Sequence, residues 1–333
     1  EFKTKDGNVS NIKKRECLYD ETTSGNFTSK GTITNKERKI EGLVQNKNYY
    51  VKVCMTSKND SRACSTPEIV KTKEVKSPSI NINTNDSIKI TYDDTNIIDE
   101  NGNQNGNHYF KSDVNATSNK NVSTCNEEGE TFSCSSDSTI NITEDKWYKV
   151  DDKEVKLSYT NSGDITIAAV TRDKSGNYKS TDKNYSLYKI IFSRGTADTI
   201  GGQTNDIKKL CLVNKDETCT ITSPIIKKAG YSVVGWNTNS SATTSSWNVN
   251  ISKSINKSET YFPIVKLKTY TIKYNANGGS GAPSNQVKEH NKNITLSTSK
   301  PIRTGYTFVN WNTSSAGNGT SYSAGATYSG NSD

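Results

Sequence analysis

Along this chain apolar residues recur at every second position far more often than at helical spacing. Tyr49, Val51 and Val53 fall on one face of a segment while Tyr50 and Lys52 fall on the other, as in a strand, where successive side chains point to opposite faces. The same alternation runs through Ile80, Asn81 and Ile82, through Ile88, Lys89 and Ile90, from Ile165 to Val170, and through Tyr270, Ile272 and Tyr274 against Thr271 and Lys273. Clusters of Gly, Asn, Asp and Ser bound these segments, as between Asp173 and Asn177 and between Asn275 and Gly279. Such residues supply turn conformations, so the prediction is a mainly β chain of many short strands. No apolar run approaches the roughly 18 residues that suggest a helical membrane span, and none is predicted in this segment.

One pattern is written twice. Gly230, Tyr231, Trp236, Asn237 and Thr238 reappear as Gly305, Tyr306, Trp311, Asn312 and Thr313, with the tryptophans 75 residues apart. Repetition at a fixed internal spacing marks a structural unit, and repeated units serve reach or multivalency more often than catalysis. Composition agrees with small domains: 30% of residues are hydrophobic, with 17 Tyr and 4 Trp against 1 Met, which suits thin sheets with aromatic cores. Charge is unevenly placed. Residues 1–185 hold 27 Lys+Arg against 28 Asp+Glu, whereas residues 186–333 hold 16 against 7. The basic half makes anionic cell-wall polymers, glycans or host surface proteins the candidate partners. The plainer account is that these lysines keep small sheets soluble and guard their edges. Nucleic acid is not an expected partner.

Six of the seven cysteines form close pairs: Cys54 with Cys64, Cys125 with Cys134, and Cys211 with Cys219, at separations of 10, 9 and 8. These separations suit facing arms of hairpins, so three local disulfides are predicted. Disulfides imply an oxidising, extracellular location. A zinc site needs close Cys or His knuckles, and with only His108 and His290 the chain offers neither. No metal or other cofactor is expected. Cys17 is left over.

The Leu43, Tyr49, Val51, Val53 arrangement resembles the corner before the sixth strand of fibronectin type III domains, where a tyrosine hydroxyl bonds nearby backbone. In that resemblance Cys54 and Cys64 staple the final hairpin, and residues 1–75 are a fibronectin type III-like domain entered part-way. Lys76, Ser77 and Pro78 read as a short linker. Trp147, the strand to Val170 and the turn from Asp173 to Asn177 look like the last part of a bacterial Ig-like β-sandwich spanning 76–185. The doubled motif, with the Asn275 to Gly279 turn and the glycines and tyrosine at 317–325, resembles the internalin-type B repeat, also called the Listeria/Bacteroides repeat. That resemblance implies small β-grasp-like domains at 186–266 and 267–333. The first copy lacks the Asn-Gly-Gly turn and ends in Tyr261, Phe262 and Pro263; the second is expected to stop before its final strand. The expected architecture is tandem Ig/fibronectin-like β-sandwiches followed by two small β-grasp-like repeats.

Candidate chemistry is sparse. His108 and His290 sit in polar stretches and read as loop residues, outside any nucleophilic triad. Asp93 with Asp94, and Asp151 with Asp152, are adjacent acids that on a strand would face opposite ways, and they read as solvated loops. Asp99, Asn101 and Asn103 alternate as in a calcium loop, but Gln104 and Phe110 stand where that loop needs Gly and Glu. Residues 278–281 make a turn, and Trp236 and Trp311 read as core. No catalytic residue is therefore expected. The expected function is a non-catalytic stalk and adhesion module of a secreted or cell-wall-attached bacterial surface protein. The alternative is a set of accessory domains of a large extracellular carbohydrate-active enzyme or protease whose catalysis lies elsewhere.

Overall fold

A computed structural model describes residues 2–3, 12–21, 27–32, 37–38, 43–97, 103–104, 106–129 and 131–331. Every regular element among them is a strand, as the period-two pattern predicts. The chain divides into two compact units: Glu1–Leu187 with Leu210–Glu217, and Tyr188–Lys209 with Thr218–Asp333.

The first unit opens with a five-stranded antiparallel sheet centred on Asn48–Ser57. This strand pairs with Ile12–Asp20 on one side and with Arg62–Cys64 and Glu68–Lys71 on the other. Its alternation works as expected, because Tyr49 and Val51 turn inward and pack with Cys17, all 2% exposed or less. A backbone bond completes the corner: the N–H of Val44 donates to the Tyr49 hydroxyl over 2.9 Å.

The second part of this unit holds the larger core. Ser87–Thr91 pairs with Ser79–Thr84 and with Glu154–Ser158, while Asn107–Ser112 lies between Trp147–Val150 and Gly163–Arg172. Inward residues of these strands, among them Ile88, Ile90, Phe110, Val155, Leu157, Ile165, Ile167 and Ala169, are almost wholly buried. Leu212 joins the same cluster from the segment Leu210–Glu217. The opposite face carries a smaller cluster in which the Tyr109 and Phe132 rings stack at 4.1 Å and Phe132 meets Trp147 edge-on at 5.1 Å. Trp147 is thus a near-core anchor, held further by its indole N–H donating to Glu127 over 2.9 Å. Tyr148 repeats the corner device, its hydroxyl accepting from the N–H of Thr143 at 2.8 Å, a feature that the sequence pattern did not reveal.

The second unit contains both copies of the repeated motif. In the first copy Glu259–Leu267 is the middle strand, parallel to Ile190, Ile191 and Phe192 and antiparallel to Tyr231–Asn237. Four rings form the core: Phe192 lies 5.0 Å from Trp236, 5.3 Å from Trp247 and 5.8 Å from Tyr261. Both indoles are satisfied, Trp236 donating to the Pro224 carbonyl and Trp247 to that of Ile251, each at 2.8 Å. In the second copy Thr269–Ile272 pairs with Gln286–Glu289, Trp311–Asn312 with Ser321–Tyr322, and Ile294–Thr295 with Thr327–Tyr328. Its rings are Tyr274 and Phe308, at 4.8 and 5.0 Å from Trp311.

Candidate functional site

The cysteine pairs lie where a hairpin puts them. Cys54 and Cys64 are directly opposed across their ladder, as are Cys125 and Cys134, and both pairs are bonded. Cys211 and Cys219 are disulfide-bonded as well, although Cys219–Thr222 takes Ser252–Ile255 as its ladder partner. Cys17 is wholly buried.

The histidines depart from the loop expectation. His108 is in the central strand Asn107–Ser112 and is 2% exposed, as is Asp94, which had read as a solvated acid. His108 Nδ1 lies 2.9 Å from the Asp152 carbonyl and Nε2 lies 2.9 Å from Asp94 Oδ1. A carbonyl only accepts, so Nδ1 donates and the Nε2 to Oδ1 contact shares one proton. Tyr92 stacks on the imidazole at 4.4 Å. Burial pushes the Tyr92 hydroxyl well above its ordinary pKa, and it donates to the Tyr109 carbonyl. Gly106 closes the cage, since a Cβ there would lie 2.4 Å from Asp94 Oδ1. A pair so enclosed locks two loops to a strand and offers a substrate no approach. Asp99 and Asn101 lie outside the described residues. Among the described residues no group of three His, Cys, Asp or Glu could hold a metal.

Asp94 begins the turn that reaches the expected linker, and this turn changes how the linker reads. Val75 and Pro78 are buried, and polar bonds pin the residues between the two sheets from both sides. The N–H of Val75 donates to Gln45 Oε1 at 2.8 Å, Asn96 Nδ2 to the Glu74 carbonyl at 2.7 Å, and Thr181 Oγ1 to the Pro78 carbonyl at 2.7 Å. Lys76 pairs with Asp93 at 2.7 Å and Lys179 with Glu74 at 2.5 Å. Residues 74–78 are therefore a built joint, because burying Val75 and Pro78 requires their neighbours' backbone groups to find partners.

A second joint links the two motif copies, and it is one residue long. Lys268 follows Leu267 of one ladder and precedes Thr269 of the next. Its N–H donates to the Gly230 carbonyl and its carbonyl accepts from the N–H of His290, both at 2.9 Å. His290 also meets the Tyr270 hydroxyl through Nδ1 at 2.9 Å, and its ring covers Gly230 so closely that a Cβ there would lie 2.1 Å from the ring. With φ at +74°, Gly230 needs to be glycine on conformational grounds too. Repetition of Gly230 in the sequence marks a repeated unit; that it seats a histidine from the following copy is not visible there.

Fold and joints together describe an all-β chain of small modules. Residues 188–261 and 270–333 each match the Listeria-Bacteroides repeat domain, a module of extracellular surface proteins. No curated protein matches the chain. The solved α-L-rhamnosidase from Dictyoglumus thermophilum is a distant likeness, 10% identical with a TM-score of 0.16, covering 88% of this chain and 46% of that one. The chain thus spans less than half the length of that structure, and a likeness so slight carries no argument.

Proposed function

We propose that this chain is a non-catalytic stalk and adhesion segment of a secreted or cell-wall-attached bacterial surface protein, in which small β domains of fibronectin type III, Ig-like and B-repeat kind follow one another. The observation that carries the proposal is the construction of the two joints. A tether between independent binding heads would have solvated linkers; here Glu74, Val75, Pro78 and Lys268 each have backbone groups bonded to the modules they separate. Stiff joints hold modules at fixed spacing, which a projecting stalk needs. The disulfides support an extracellular setting.

Limited trypsin digestion tests this, because the joints contain exposed lysines, Lys73, Lys76 and Lys268. Native chain is expected to resist cleavage at all three. Rapid cutting there under native conditions would show free linkers and sink the stalk reading, and turnover of a glycan or peptide substrate by the purified chain would sink its non-catalytic part.

A further inference from the structure

The second motif copy buries a lysine without an acid to meet it. Lys288, in the strand Gln286–Glu289, is 1% exposed and stands opposite Tyr270 in its ladder. An ammonium taken out of water is costly unless an anion or other acceptors receive it. Among the described residues no carboxylate pairs with it, and Glu289, next along the strand, is taken by Lys292. Lys288 Nζ instead lies 2.9 Å from Asn331 Oδ1, 3.2 Å from the Glu289 carbonyl and 5.6 Å from the centre of the Tyr270 ring. The Asn331 carboxamide is itself held in place. Its Oδ1 also accepts from the N–H of Asn291 at 3.0 Å, and its Nδ2 donates to Asn291 Oδ1 at 2.7 Å. An amine, a fixed carbonyl group and a backbone N–H aimed at the carbonyl oxygen are the parts of an acyl transfer: nucleophile, electrophile, and a donor for the charge that develops on oxygen.

We propose that Lys288 and Asn331 react with each other to form an intramolecular isopeptide bond. Lys288 Nζ adds to Asn331 Cγ, the N–H of Asn291 stabilises the oxyanion, and the bond from Cγ to Nδ2 breaks. Two protons pass from the Lys288 ammonium to Nδ2, which departs as ammonium, so atoms and charge balance without a co-reactant. Asn331 is exposed, which gives the leaving group a way out to solvent. The product replaces a buried charge with a neutral amide, the direction that burial favours. The bond joins residues 43 apart along the chain and ties the ladder of Thr269–Ile272 and Gln286–Glu289 to the segment that follows Thr327–Tyr328. Residues 270–333 contain no cysteine, so the bond supplies a covalent closure that the copy otherwise lacks. A stalk without it remains a stalk, so its failure leaves that role standing.

Mass spectrometry of the full chain, folded and then reduced, tests this. The chain is expected to be lighter than its sequence by one ammonia, about 17 Da. Trypsin is expected to leave Lys288 uncut, within a branched peptide that carries Asn331. Lys288→Arg, which keeps the charge, and Asn331→Ala, which removes an exposed side chain, are each expected to have their full sequence mass. A chain at its sequence mass and cleaved at Lys288 would overturn the bond. So would a loss of ammonia that persists in Lys288→Arg, because ring closure at Asn277–Gly278 or Asn318–Gly319 gives the same mass change.

Discussion

The two copies of the motif carry the same residues at the same spacing and do different things with them. In the first copy Tyr231–Asn237 is a seven-residue strand and Trp236 is wholly buried. In the second, only Trp311–Asn312 is paired, Tyr306 is 68% exposed and Val309 81%. The first copy has Glu259–Leu267 to pair with and to bring Tyr261 into the ring cluster; among the described residues of the second copy no strand takes that place. Trp311 Nε1 correspondingly is buried with no hydrogen-bond partner, whereas Trp236 Nε1 has the Pro224 carbonyl. The motif therefore specifies the turn and the tryptophan, while strand character is conferred by the neighbour that pairs with it.

The largest expected contrast is at the tryptophans. Trp236→Ala should cost about 3–5 kcal/mol, as removal of a fully buried ring does, while Trp311→Ala, half-buried with an unsatisfied N–H, should cost only about 1–2 kcal/mol. Urea titrations of the full chain would measure both, and equal losses would break the comparison. Reduction comes next. Residues 270–333 contain no cysteine, so a reductant should destabilise the regions closed by Cys54–Cys64 and Cys125–Cys134 by about 2–3 kcal/mol each, with exchange protection in the second copy unchanged. Hydrogen exchange read by region would show this.

The glycines sharpen the contrast further. Gly230 and Gly305 share positive φ, at +74° and +79°, so alanine at either should cost about 1–2 kcal/mol of backbone strain. Only at Gly230 does the new Cβ also meet the His290 ring; Gly305 has nothing within 4 Å. Gly230→Ala should therefore cost a further 1 kcal/mol or so. His290→Ala should remove that excess in a double-mutant cycle, and a cycle with no coupling would mean that the joint does not rest on this contact.

What the sequence made legible follows from the physics each feature depends on. Strands such as Asn48–Ser57 and Gly163–Arg172 were readable because one buried face imposes period two. Disulfide partners were readable because a hairpin brings near neighbours opposite each other. His108 and Asp94 were misread, since local polarity around them says nothing of a cage assembled from Tyr92, Gly106 and the Asp152 carbonyl, up to 60 residues apart along the chain. Residues 76–78 were misread for the same reason: a proline between polar residues looks like a linker until Gln45, Asn96 and Thr181 arrive from elsewhere.

The smallest expected effect separates the two joints by pH. At the first, Lys76 holds the Asp93 carboxyl down to about pKa 2, helped by the N–H of Thr95. A depressed folded pKa contributes stability that is complete above the unfolded value of about 3.9 and is lost as pH falls through about 2. Asp93 is 41% exposed, so solvent screening limits the effect to a few tenths of a kcal/mol. The bonds of Lys268 at the second joint are between backbone groups and contain nothing that titrates in that range. Lowering pH from 4 to 2 should therefore increase exchange at residues 74–78 while leaving Lys268 and His290 protected, and Asp93→Asn should remove the share of that dependence that belongs to the Lys76 pair, leaving the share of the Glu74–Lys179 pair. Acid-induced exchange of equal size at both joints would show that they are not built on different interactions.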